Sequence, residues 1–224
     1  MKESMASAWR ICHSYRRAGF VACSHAALRL ILVPVEALRE VLSEVKGEVL
    51  SIGAGIGAIE YFLADRLPEL SFMCSDNQTR RIDVAQRAVQ LSRVRFTAAD
   101  ATAISGNSIY SAALAVDVLH HIDRDKHATA VEGLVEAVQP DGLIIIKDIA
   151  LTPPWKHMWN RIHDRLVSGD DPACREPEEV AAMLEEAGCL VEQCCRLHPY
   201  SPYPHYLVVA RKYSNELRHG TVLN

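Results

Sequence analysis

The chain has 224 residues, 49% of them apolar and 23% charged, with a formal net charge of -4. That length supports one sizeable hydrophobic core, and the composition is ordinary for a globular protein. With no long Lys/Arg block there is no basic face for phosphates, so nucleic acid is not an expected partner.

The start, "MKESMASAWRICHSYRRAGF", carries charges where a signal peptide needs an apolar core. The nearby "AALRLILVPV" is interrupted by Arg29 and stopped by Pro34. It falls well short of the ~20 apolar residues that cross a bilayer, so no membrane span is expected. The seven cysteines are odd in number and show no CxxC spacing. They read as reduced thiols of a cytoplasmic protein, with no metal site.

Helical periods such as Val35, Leu38, Leu42 and Val45 mark residues 1–45 as a helical cap. From residue 46 short apolar runs alternate with amphipathic ones. The runs at 48–53, 71–76, 94–100, 111–118 and 142–149 suit buried strands. Between them, Ile59, Phe62, Leu63 and Leu67 share one helical face, as do Ile82, Ala85 and Val89, and then Ala130, Leu134 and Val138. Such alternation implies right-handed βαβ crossovers and a parallel sheet. The stretch 151–172 departs from it, with Pro153-Pro154 before a tryptophan-bearing helix. Strands at 189–199 and 203–212 follow, joined by the short "YSPYP" as adjacent antiparallel strands would be. The expected fold is α/β, doubly wound and Rossmann-like, with a mostly parallel seven-stranded sheet, an antiparallel last strand and helices on both faces. The domain spans 46–215, with 151–172 as a lid insertion and 216–224 as a tail.

In sheets of this kind ligands bind beyond the carboxyl ends of the strands. The first strand ends in "SIGAGIGAIE", with Gly53, Gly55 and Gly57 at alternate positions. As Gly53-x-Gly55-x-x-Ala58 the run satisfies a dinucleotide fingerprint, which would make the chain an NAD(P)-dependent oxidoreductase. As Gly53-x-Gly55-x-Gly57 it suits a cofactor that brings ribose and an amino acid to the backbone. A tight strand-to-helix turn without a ligand is the third reading. Asp76 ends the second strand, where a carboxylate accepts ribose hydroxyls in either cofactor class. Asp100 ends the third, where it suits an adenine amino group and not a passing diphosphate.

The motifs "VLSIGAGIG", "CSDNQ", "FTAADAT", "LAVDVLHHI" and "VQPDGLIIIKDI" resemble, in order and spacing, those of class I S-adenosylmethionine-dependent methyltransferases, over residues 40–212. "DVLHHI" and "PDGLIIIKD" resemble the small-molecule branch. The resemblance implies S-adenosylmethionine as cofactor, held by Ser51, Gly53, Gly55, Gly57, Asp76, Asn77, Asp100, Ala101 and Asp117. It implies methyl transfer to a small-molecule acceptor, with an O-methyltransferase of specialised metabolism and an apolar or aromatic substrate as the expected activity. One departure matters: the family usually has Asp or Glu where this chain has Ser51, and that acid helps organise the loop and the cofactor's amino end. A cofactor-binding protein without catalysis is therefore an alternative.

Methyl transfer from a sulfonium needs alignment of the nucleophile, and a base only when that nucleophile arrives protonated. His120 follows the fourth strand and Asp148 ends the fifth. They are the candidate base and its orienting partner, or else a packed side chain and a strand-end cap. His121, Tyr15 in the cap, and Trp155, Trp159 and His163 on the insertion are the candidate acceptor-binding residues. The two tryptophans share one helical side, which suits a flat substrate or plain packing.

Overall fold

The structure is a computed structural model and describes residues 2–103, 108–153, 172–197 and 203–214. The chain divides into two compact units, Met1–Ala101 and Thr102–Asn224.

The first unit opens with three helices, α1 (Lys2–Tyr15), α2 (Phe20–Leu32) and α3 (Val35–Leu42). It continues as β1 (Gly47–Ile52), α4 (Ala58–Arg66), β2 (Leu70–Asp76), α5 (Thr79–Ala88) and β3 (Val94–Ala98). Both strand pairs are parallel, with Val49 opposite Phe72 and Cys74 opposite Phe96. Helix α4 buries Ala58, Ile59, Glu60, Phe62, Leu63 and Ala64, which is more than one stripe. The reason is that α1 packs against it as well. Ser7 donates to Asp65 at 2.6 Å, and Arg10 pairs with the same carboxylate at 2.7 Å, which ties the two helices at the rim. The helical periods expected over 1–45 are thus three separate helices, broken at Gly19 and Pro34.

The second unit contains β4 (Tyr110–Val116), α6 (His127–Ala137), β5 (Val138–Ile149), α7 (Pro177–Glu186), β6 (Cys189–Arg196) and β7 (His205–Lys212). β4 and β5 are parallel, and β7 is antiparallel to both β5 and β6. Helix α7 starts at a capping box, with Glu176 and Glu179 bonding each other's backbone and Pro177 at the first turn. Over the seven strands the order is β3-β2-β1-β4-β5-β7-β6, the mixed Rossmann-like sheet expected from the alternation, antiparallel last strand included.

Two boundaries differ from the sequence reading. β5 starts at Val138 and not at 142, because Val138 pairs with Tyr110 before a register shift restores pairing at Ala112 and Leu143. The Pro140-Asp141 pair, with Asp141 at φ 63°, occupies that irregularity and reads locally as a turn. β3 stops at Ala98, so Asp100 lies in the following loop and is exposed. Among the described residues no single helix is long and apolar enough to cross a membrane.

Candidate cofactor loop and active site

The turn after β1 is built on backbone that other residues resist. Gly53 and Gly55 both have φ of 60° and Gly57 has 76°, the left-handed region where a Cβ is costly. Three hydrogen bonds fix the loop: Ala54 N–H to the Ser75 carbonyl, Gly55 N–H to Asp76 Oδ2, and Gly57 N–H to the Ala54 carbonyl, each 2.9 Å. The other carboxylate oxygen of Asp76, Oδ1, accepts the Gln78 N–H at 2.9 Å, and Arg81 stands 3.6 Å from Oδ2. Asp76 therefore sews the end of β2 to the turn while keeping further lone pairs for a ligand.

The glycines are required for different reasons. A Cβ on Gly57 would meet the Phe96 ring at 2.5 Å, so this glycine lets α4 begin close to the sheet. A Cβ on Gly55 would meet nothing within 4 Å. At Gly55 the chain keeps open space above a strained backbone, the arrangement of a cradle.

Beneath the loop lie buried polar groups. Ser51 on β1 donates to Glu60 Oε1 at 2.7 Å, and both residues are buried. Glu60 Oε2 and the Ser75 hydroxyl, also buried, have no hydrogen-bond partner among the described residues. Burial pushes the Glu60 carboxyl up, against the Ser51 bond and the charge of Arg29. Tyr15 is fully buried and donates to the Ile56 carbonyl at 2.6 Å. Burial, with Glu60's charge nearby, pushes its phenol far up, so the hydroxyl stays protonated and remains a donor. Tyr15 thus grips the loop from inside the fold.

In the second unit His120 and Asp148 are in direct contact, Nδ1 to Oδ1, both buried. Asp148 also accepts the Ile149 N–H at 2.7 Å. Burial alone would raise this carboxyl, but the charge and hydrogen bond of His120 outweigh it and hold it below the usual range. The neighbouring rings of His120 and His121 have centroids 4.0 Å apart, and His121 is exposed. Asp117, with φ of 56°, pairs with Lys147, whose side chain is fully buried in β5.

Asn77, like Asp100, is exposed, and Ala101 is half-buried. Trp155, Trp159 and His163, with most of the expected lid, lie outside the described residues. Among the described residues no group of three or more His, Cys, Asp or Glu side chains is placed to hold a metal ion. Glu60 and Lys147 are among the buried polar residues that the sequence reading did not single out. Glu60 stands in the first turn of its helix, where an acid is ordinarily solvated, although Ser51 in place of an acid was a signal to search nearby for another. Lys147 interrupts an apolar strand, and a charge there demands a partner.

Residues 49–142 match the family described as methyltransferase domain. An apo S-adenosylmethionine-dependent methyltransferase, SibL, aligns with a TM-score of 0.69 at 21% identity, covering 88% of this chain and 59% of that one. An O-methyltransferase family protein from Burkholderia thailandensis gives 0.71 at 17% identity, covering 89% and 62%. Magnesium protoporphyrin IX methyltransferase from Synechocystis, with SAH bound, gives 0.65 at 17%, covering 80% and 81%. At these identities the likeness is one of fold. The chain spans about three fifths of the length of the first two. No curated protein matches.

Proposed function

We propose that this chain, whose residues 49–142 match the methyltransferase domain family, is a class I S-adenosylmethionine-dependent methyltransferase that methylates a small-molecule acceptor, as an O-methyltransferase acting on an apolar or aromatic compound. The observation that carries the reading is the Gly55 cradle, tied to Asp76 and open where a Cβ would stand. S-adenosylmethionine is the methyl donor of that family, and when bound it supplies an electrophilic methyl group on a sulfonium. The residues present fit it. Gly53 and Gly55 leave the backbone approachable, and Asp76 has lone pairs left for ribose hydroxyls. Asp100 and Asn77 are exposed for the base, with Ala101 beside them, and the buried Glu60 has an oxygen without a partner. Gly57 serves the loop by packing, and Ser51 serves it through Glu60.

The remaining residues align the acceptor and handle its proton. We assign the proton to His120. A neutral imidazole that gives its Nδ1–H to Asp148 presents Nε2 as the base, and Asp148 stabilises the imidazolium that forms. Asp117 pairs with Lys147 at the end of the same strand pair. His121, Trp155, Trp159 and His163 are assigned to the acceptor, while Tyr15 acts through the loop. The odd cysteine count without CxxC spacing supports a reducing, cytoplasmic location.

The reading is tested by incubating the protein with methyl-labelled S-adenosylmethionine and a panel of phenols, aliphatic alcohols and amines. Label should pass to a phenol or alcohol. Transfer confined to amines would refute the O-methyl assignment, and no transfer to any small molecule would favour a cofactor-binding protein without catalysis.

A further inference from the structure

The carboxyl of Glu60 has no settled role in the free protein. It sits in the first turn of α4, three residues after Gly57, and its Oε1 accepts from Ser51, two residues before Gly53. The group therefore lies at the base of the glycine loop, bonded to the strand that enters it and carried by the helix that leaves it. Its Oε2 is buried without a hydrogen-bond partner among the described residues, a state that costs free energy unless something completes it. The charged and titratable groups around it are Arg29 from α2, Asp76 and Cys74 from β2, and Tyr15 from α1. None of their side chains bonds Oε2, and the Tyr15 hydroxyl is engaged with Ile56.

Resting on the cofactor assignment above, we propose that Glu60, presented by Ser51, receives the ammonium group of the cofactor's amino-acid moiety. The chemistry selects that group. An unpartnered carboxylate oxygen needs a donor, and a buried carboxylate needs a positive charge. The ammonium supplies both, the sulfonium has no N–H, and the ribose hydroxyls carry no charge and have Asp76. Burial holds the free carboxyl protonated more readily than usual, so pairing with an ammonium draws off a proton.

Binding of S-adenosylhomocysteine, its analogue lacking the amino group, and 5′-methylthioadenosine, which lacks the whole amino acid, tests this in the full chain. Glu60→Gln keeps the shape and removes the charge. It should weaken S-adenosylhomocysteine by about tenfold or more, the scale of a charged hydrogen bond, and leave methylthioadenosine within about twofold. Moving the acid back to the strand, with Ser51→Asp and Glu60→Ser together, should recover most of the loss. Equal losses for both ligands, or no loss, would overturn the proposal by making Glu60 structural or idle. The unaltered protein gives an arm that needs no variant to fold. It should bind S-adenosylhomocysteine at least about tenfold more tightly than the amino-free analogue. It should also release protons on binding only with the amino compound, read by calorimetry across a pH series in buffers of different ionisation enthalpy. Indifference to the amino group would overturn the proposal. Failure to bind any of the three ligands would instead defeat the cofactor assignment itself.

Discussion

The hydroxyl of Tyr15, at the end of the first helix, donates a 2.6 Å hydrogen bond to the carbonyl of Ile56, inside the glycine loop. A helix that precedes the sheet by thirty residues thereby sets the position of the turn at the end of β1. Tyr15→Phe leaves a buried carbonyl without its donor, a loss of about 1–3 kcal/mol. The expected outcome is a lower melting temperature and weaker S-adenosylhomocysteine binding, both measurable by thermal shift. Unchanged values would mean that α1 does not hold the loop.

The glycines should separate by experiment. Gly57→Ala drives a Cβ into the Phe96 ring in addition to the left-handed strain, so it should be the most destabilising single change in the loop. Shortening the obstacle with Phe96→Leu should recover part of the loss. Gly55→Val has room in the free protein and bears chiefly the strain, yet it fills the cradle. Its fold should persist while S-adenosylhomocysteine binding disappears. Thermal unfolding beside calorimetry distinguishes the two, and normal binding by Gly55→Val would reduce the glycines to a turn.

Glu60 should make the free protein sensitive to alkali. Its carboxyl is pushed up by burial, so the stability tied to its neutral form is present below the unfolded value and lost as pH rises through the folded one. Glu60→Gln removes that dependence. Denaturant unfolding of the ligand-free proteins at successive pH values upward from the ordinary carboxylate range should show the variant gaining on the unaltered protein as pH rises. A difference that stays constant through the whole series would show that folding does not shift the Glu60 carboxyl.

His120→Ala should lower turnover by at least ~100-fold, within the usual contribution of a general base, with S-adenosylhomocysteine affinity nearly unchanged. Steady-state kinetics on the acceptor found in the transfer assay, beside calorimetry, reads both quantities. Normal turnover would mean that alignment alone suffices or that His163 takes the proton. Equal losses of affinity and rate would mark His120 as part of the cofactor wall.

Much of the fold was legible because buried parallel strands and amphipathic helices have different periods. "EVLSIG" and "GLIIIKDI" each declare a strand, and the brevity of "YSPYP" declares the antiparallel pairing of β6 and β7. Less legible was whatever depends on contacts distant in sequence. Val138 joins β5 because Tyr110 is there to pair with it, against the local turn character of Pro140-Asp141. Strand order alone suggests that His120 and Asp148 meet, since one follows and the other ends strands that prove to be neighbours. Glu60 was not legible, because an acid in the first turn of a helix is ordinarily a solvated residue favoured by the dipole. The packing of the three N-terminal helices against α4 turns it into a buried one. Lys147 was hidden likewise until β4 brought Asp117 alongside.

The central claim, that the glycine loop holds S-adenosylmethionine and not a dinucleotide, is tested most directly by calorimetry of the same protein with S-adenosylhomocysteine, NAD and NADP. S-adenosylhomocysteine should bind with one-site behaviour, weakened by about 1.5–3 kcal/mol in Asp76→Ala, and neither dinucleotide should compete. Binding of NAD or NADP with no response to S-adenosylhomocysteine would contradict the account.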